Sequence, residues 1–193
     1  MTAVRSMPTP GRTVALVGLM GAGKSAIGRR LAHRLGLPFV DADVEIEAAA
    51  GCTIEEFFDR YGEVEFRAGE RRVIQRLLDG APIVLATGGG AFMDPQTRAL
   101  MRERAITIWL RAELALLVER VARRGNRPLL KNDDPAAVLQ RLMSIRYPIY
   151  AEADIIVDSR DAPAERTTDD VAAALAAFLQ AGTRPAAAAG AAP

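Results

Sequence analysis

Residues 18–25 read GLMGAGKS, and this run constrains the fold more than any other stretch of the chain. It fits G-x-x-x-x-G-K-[ST] through Gly18, Gly23, Lys24 and Ser25. Glycines let consecutive backbone N–H groups turn inward and cradle phosphate oxygens. Such a loop works only between a buried strand and the positive N-terminal end of a helix. Both flanks are legible. TVALVG (13–18) is a short apolar run that reads as a buried strand, and Ile27, Leu31 and Leu35 recur at helical spacing after the loop. Lys24 then suits the β and γ phosphates of a nucleoside triphosphate, and the Ser25 hydroxyl suits Mg²⁺. Gly21, Ala22, Gly23, Lys24, Ser25 and Ala26 are the expected ATP contacts. The loop names no acceptor.

The same alternation continues along the chain. LPFVDAD (37–43), PIVLATGGG (82–90), AITIWL (105–110) and ADIIVD (153–158) read as four further strands. Between them, 44–79 is a helical block broken at Gly51 and around Gly62, and 113–124, 136–147 and 164–180 are helical. The expected fold is α/β, with a five-stranded parallel sheet between two helical layers. In such sheets ligands bind at the carboxyl ends of the strands. Several polar or glycine-rich clusters follow a strand, so they converge on one edge.

Composition removes other classes. The formal net charge of +1 argues against a broad nucleic-acid footprint. Cys52 is the only cysteine, so no intrachain disulfide or cysteine-based zinc site is expected. His33 is the only histidine, and it reads as a surface or packing residue. The first residues carry no signal-peptide pattern, and no stretch has the length of a membrane span. A cytoplasmic protein is expected. Residues 1–11 and 181–193 read as flexible ends, the latter low in complexity and rich in alanine.

Three clusters carry acceptor chemistry. In DAD, Asp41 and Asp43 would share one face if the segment were extended. One carboxylate would then hold the hydration shell of Mg²⁺, and the other would take a proton from a substrate hydroxyl. An ordinary solvated turn, or Asp43 capping the next helix, is the plainer alternative. In ATGGGAF (86–92), one glycine would suffice for a turn, so three point to close approach of a ligand to the backbone. Arg67, Arg127 and Arg146 suit a planar grip on carboxylate or phosphate, although most arginines of this chain must be solvated. Arg127 lies between Gly125 and Pro128 in a segment that resembles a lid. Glu70, three residues after Arg67 on a helix, is placed to reach it.

GLMGAGKS, DADVEIE, GEVEFR, TGGGAF, RPLL and RYPIY, in that order, make residues 12–180 resemble the shikimate kinase family. The resemblance implies a nucleoside-monophosphate-kinase-like P-loop fold with a lid, and transfer of the ATP γ-phosphate to the 3-hydroxyl of shikimate. It implies one kinase domain over 12–180, with a phosphate loop at 18–25, a substrate-binding block at 44–79 and a lid at about 124–135. Asp41 would reach Mg²⁺ through water, and Asp43 would bind the acceptor hydroxyls and act as base. Arg67 and Arg146 would clamp the shikimate carboxylate, and Gly89 and Gly90 would present backbone amides to the substrate. Phe58 and Phe66 would wall the pocket. Arg127 would close with the lid onto the transferring phosphate. The lid is short here, which leaves Arg123 and Arg124 as alternatives against adenine, next to a segment from Arg160 to Pro163. The partners would be shikimate and ATP, with no nucleic acid or membrane, and the enzyme a monomer. A gluconate-type small-molecule kinase is the nearest alternative. A nucleotide-dependent binding module without acceptor chemistry is the more distant one.

Overall fold

The structure is a computed structural model that describes residues 10–123 and 134–182. The five strands are β1 (Thr13–Val17), β2 (Phe39–Asp41), β3 (Val84–Ala86), β4 (Ala105–Arg111) and β5 (Ile155–Asp158). They form one parallel sheet in the order β2-β3-β1-β4-β5. The helices are α1 (Lys24–Leu35), α2 (Ala42–Ala50), α3 (Ile54–Leu78), α4 (Pro95–Arg104), α5 (Leu114–Ala122), α6 (Pro135–Tyr150) and α7 (Ala164–Gln180). This is the α/β architecture expected from the alternating pattern.

Burial follows position in the sheet. β1 is central and every residue of TVALV is buried, as an uninterrupted apolar run requires when both faces are covered by helices. β5 is an edge strand and alternates, with Ile155 and Val157 inward and Ile156 and Asp158 outward. The chain leaves β1 for β2 on one side and leaves β3 for β4 on the other. Order therefore reverses at β1, and a ligand crevice opens beyond its carboxyl end.

Two glycine breaks in the helical block fall where the sequence placed them. Gly51 ends α2 with φ 69°, and Gly62 interrupts α3 with φ 76° and ψ 178°. A capping box between Thr53 and Glu56 restarts the chain as α3. The two helices enclose a small core of Ile46, Phe66 and Val73.

Three local expectations are corrected. The segment through Asp43 is not extended: β2 stops at Asp41 and α2 begins at Ala42. The cause is an N-cap. Asp41 Oδ1 accepts the Asp43 N–H at 3.3 Å, so Asp41 rather than Asp43 is the capping residue. The sequence reading also left residues 94–104 unassigned, and they form α4. Asp94 caps it by accepting the Thr97 N–H at 2.8 Å, and Pro95 occupies the first turn. Finally, α6 runs through Pro148 to Tyr150 rather than stopping at 147, which puts Arg146 and Tyr150 four residues apart on one helix face.

His33 is exposed, one of the two settings expected for it, and Trp109 is buried in the core. No helix of the described residues is long and apolar enough to cross a membrane.

Candidate active site

The phosphate loop leaves β1 at Gly18, whose φ is 139°. A Cβ there would lie 2.7 Å from the Leu110 carbonyl oxygen, so the loop can pass β4 only with glycine at this position. Gly23 caps α1 in the left-handed region at φ 96°, and no side chain bonds to the first turn. The N-terminal end of α1 is therefore left for an anion. Lys24 Nζ donates to the carbonyls of Gly18 and Leu19 at 2.8 and 3.0 Å, which folds the ammonium over its own loop.

Ser25 and Asp41 meet beside this loop. Ser25 Oγ donates to Asp41 Oδ2 at 2.7 Å. One hydroxyl and one carboxylate form a hard oxygen pair next to a phosphate cradle. That suits Mg²⁺, which takes one or two protein oxygens and fills its octahedron with phosphate and water. Asp41 thus has two tasks, capping α2 with one oxygen and facing Ser25 with the other.

The glycine triplet brings together the remaining side chains expected at an acceptor site, and each glycine faces different ones. A Cβ on Gly88 would sit 2.7 Å from Asp43 Oδ1 and 3.2 Å from Glu70 Oε1. A Cβ on Gly89 would sit 3.4 Å from Arg146 Nη1, and one on Gly90 would sit 2.6 Å from Arg67 Nη1. The triplet is thus a floor on which two carboxylates and two guanidiniums rest. Thr87 anchors this floor to the sheet through its N–H and its hydroxyl, both of which donate to Leu16 O at 3.2 and 3.0 Å. The correction at Asp43 changes its setting but not its destination. It reaches the crevice from the first turn of α2, where a negative charge also suits the helix end.

Arg67 is held from its own helix. Its Nη1 donates to Glu70 Oε2 at 2.6 Å, and Nη2 lies 3.4 Å from Glu63 Oε1. Glu70 is buried; burial pushes its carboxyl above the ordinary value, and the Arg67 guanidinium opposes that rise. Phe66 lies beside this pair, its ring 5.2 Å from the Arg67 guanidinium carbon and 4.4 Å from the Phe58 ring. Arg146 approaches from α6, and its Nη1 donates to Gly89 O at 2.9 Å.

On the other side of the loop is a cavity of about 280 Å³, lined in part by Gly21, Ala26, Arg120, Arg123, Ser159 and Ala162. It borders the N-terminal end of α1 on the side of α5 and the segment after β5. Arg123 is exposed and pairs with Glu119. Arg124 and Arg127, and most of the segment expected to form the lid, lie outside the described residues.

Two residues escaped the sequence reading. Arg120 reaches Gly21 O at 3.3 Å, Ser159 Oγ at 2.8 Å and Arg160 O at 2.7 Å, tying the phosphate loop to the segment after β5. A signal existed: Arg120 follows the buried Leu117 by three positions and so shares its helical face. The other is Tyr150, whose hydroxyl donates to Gly89 O. It stands four residues after Arg146, which was the available signal.

A phosphate cradle at a helix end, an oxygen pair for a metal, and an acceptor floor with acid and paired arginines define an ATP-dependent small-molecule kinase. Comparison with known proteins narrows the class. The shikimate kinase family model matches residues 20–176. Shikimate kinase of Paramagnetospirillum magneticum is 59% identical over 169 residues, covering 88% of this chain and 87% of that protein. Shikimate kinase of Rhodopseudomonas palustris is 59% identical over 168 residues, covering 87% and 83% respectively. The solved shikimate kinase from Acinetobacter baumannii in complex with shikimate superposes with a TM-score of 0.83 at 36% identity, covering 91% of this chain and 97% of that one. The chain belongs to the shikimate kinase family.

Proposed function

We propose that the crevice transfers the γ-phosphate of ATP to the 3-hydroxyl of shikimate, yielding shikimate 3-phosphate and ADP on the route to chorismate and the aromatic amino acids. The observation that carries this reading is the glycine triplet, on which Asp43, Arg67 and Arg146 converge beside the phosphate loop. Shikimate offers one carboxylate and three hydroxyls, and the floor offers two guanidiniums and a carboxylate to match them.

The division of labour follows from chemistry. Arg67 and Arg146 grip the shikimate carboxylate. Each guanidinium carries five N–H donors, so the bonds to Glu70 and Gly89 leave others to offer. The Gly89 and Gly90 amides add to that grip, and Phe58 and Phe66 wall the pocket. Asp43 orients the acceptor hydroxyl and takes its proton as the oxygen attacks the γ-phosphorus in line and the bond to the ADP oxygen breaks. Gly21, Ala22, Gly23 and Ala26 enclose the ATP phosphates. Lys24 leaves its loop carbonyls to neutralise the β and γ phosphates. Ser25 directly, and Asp41 through water, would hold Mg²⁺, which supplies further charge neutralisation on those phosphates when bound. Arg127 would close onto the transferring phosphate, and Arg123 or Arg124 would lie against adenine, with the segment from Arg160 to Pro163 bounding the base. Positioning and charge neutralisation supply most of the rate, because phosphoryl transfer asks little covalent chemistry of the protein.

In this reading residues 12–180 act as one kinase domain. The enzyme works as a cytoplasmic monomer, without nucleic acid or membrane. The test is the acceptor dependence of ADP release with shikimate, gluconate and nucleoside monophosphates. Shikimate alone should accelerate release. Acceleration by gluconate and not by shikimate would replace the reading with that of a gluconate-type kinase. ATP binding with no transfer to any small alcohol would favour a nucleotide-dependent binding module.

A further inference from the structure

Tyr150 has no place in the division of labour above, yet among the described residues it is the largest side chain that is fully buried, at 0% exposure. Its ring packs among aromatic neighbours, 5.9 Å from Trp109, 6.3 Å from Tyr147 and 6.5 Å from Phe92. A phenylalanine would satisfy that packing. The hydroxyl needs another reason, because burying it costs free energy unless it is bonded.

Its bonds lead into the acceptor site. The hydroxyl donates to Gly89 O, and Arg146 Nη1 donates to the same carbonyl at 2.9 Å. The Arg146 guanidinium lies close enough to oppose the rise that burial imposes on the tyrosine. The three groups close a small network in which the Gly89 carbonyl receives two donors, one for each lone pair. That carbonyl belongs to the planar peptide between Gly89 and Gly90. Fixing the oxygen therefore fixes the direction of the Gly90 N–H as well. Glycine backbone would otherwise be the most mobile wall of the site. Burial pushes the Tyr150 hydroxyl up to about 12, so it keeps its proton, and its donor role, across neutral pH.

We propose that Tyr150 is a positioning residue for shikimate: its hydroxyl locks the Gly89–Gly90 peptide and the Arg146 guanidinium into the arrangement that receives the substrate carboxylate. This rests on the acceptor reading given above for Arg146. It acts through Arg146 and the peptide and does not touch the reacting atoms. The nucleotide half of the site should not feel its loss.

The experiment is a double-mutant cycle on the full chain with Tyr150→Phe and Arg146→Ala. Shikimate affinity is read by calorimetry, the KM for ATP and kcat by ADP release, and folding by thermal melting. Tyr150→Phe should weaken shikimate binding about tenfold, the size expected for one hydrogen bond in a charged network. The KM for ATP should stay within about twofold, since no ATP contact changes. Arg146→Ala should weaken shikimate binding more strongly. Adding Tyr150→Phe to it should then cost much less than the tyrosine change alone. A purely structural tyrosine would give a lower melting temperature with unchanged shikimate affinity, and that result overturns the inference. So would a full additional loss on top of Arg146→Ala, which would place the effect elsewhere, or a parallel rise in the KM for ATP. If Arg146→Ala itself leaves shikimate affinity intact, the acceptor reading fails first, and this inference fails with it.

Discussion

Asp43→Asn should lower turnover with shikimate by about 10²- to 10⁴-fold, the range that loss of a general base produces. ATP affinity should stay within about twofold, because Asp43 lies on the acceptor floor and not on the phosphate loop. Asparagine keeps the shape of the side chain and can still bond to a substrate hydroxyl. It cannot hold the proton that the hydroxyl must lose. The backbone N–H of residue 43 still satisfies Asp41, so the cap of α2 and the approach of Asp41 to Ser25 survive. Helix stability changes only by the few tenths to one kcal/mol, roughly, that a carboxylate near a helix N-terminus contributes. The check is kcat with shikimate beside calorimetric ATP binding. Near-normal turnover would remove Asp43 as base and anchor.

Lys24→Arg should cost a comparable amount, about 100-fold or more in kcat/KM for ATP, as expected for loss of a placed donor on developing charge. Charge is conserved, so a generic electrostatic role predicts little change. Geometry predicts a large one. The Lys24 ammonium folds back between the carbonyls of Gly18 and Leu19. It sits inside a loop whose glycines leave little room, as the 2.7 Å approach of Leu110 O to a Cβ at Gly18 illustrates. A planar guanidinium is larger and presents its donors as a fork, where a compact ammonium acts as a point charge on phosphate. The composition fits this: Lys24 and Lys131 are the only lysines in a chain that otherwise uses arginine. Steady-state kinetics with ATP varied at saturating shikimate decide it. An arginine variant of wild-type efficiency would reduce Lys24 to a generic positive charge.

Much of this was legible before any coordinates, and the reasons are local. The phosphate loop declares itself because its glycines, lysine and serine are each required by phosphate geometry at fixed spacing. The sheet is legible because a buried parallel strand such as TVALV must be almost wholly apolar. What sequence reading missed depends on capping and on long-range approach. Asp43 was placed on a strand because two acids two residues apart suit an extended segment. The Asp41 cap starts the helix at Ala42, two residues earlier than that reading allows. The helix α4 was marked by Asp94 and Pro95, but its exposed face is polar and its apolar periodicity weak. The triplet was read as a surface for ligand approach. The structure adds a reason for each glycine separately, since Gly88, Gly89 and Gly90 each make room for a different charged side chain. Nothing in the local pattern could pair Gly90 with Arg67 or Gly89 with Tyr150, because those contacts are made across α3 and α6.

The convergence of those side chains is the centre of the account, and the position of the new phosphate tests it most directly. The purified chain is incubated with ATP, Mg²⁺ and shikimate, and the product is examined by phosphorus–proton correlation NMR. The account predicts a single phosphate ester, on the 3-hydroxyl, formed in step with ADP. An ester on another hydroxyl, or ADP accumulating while shikimate stays unmodified, would contradict it.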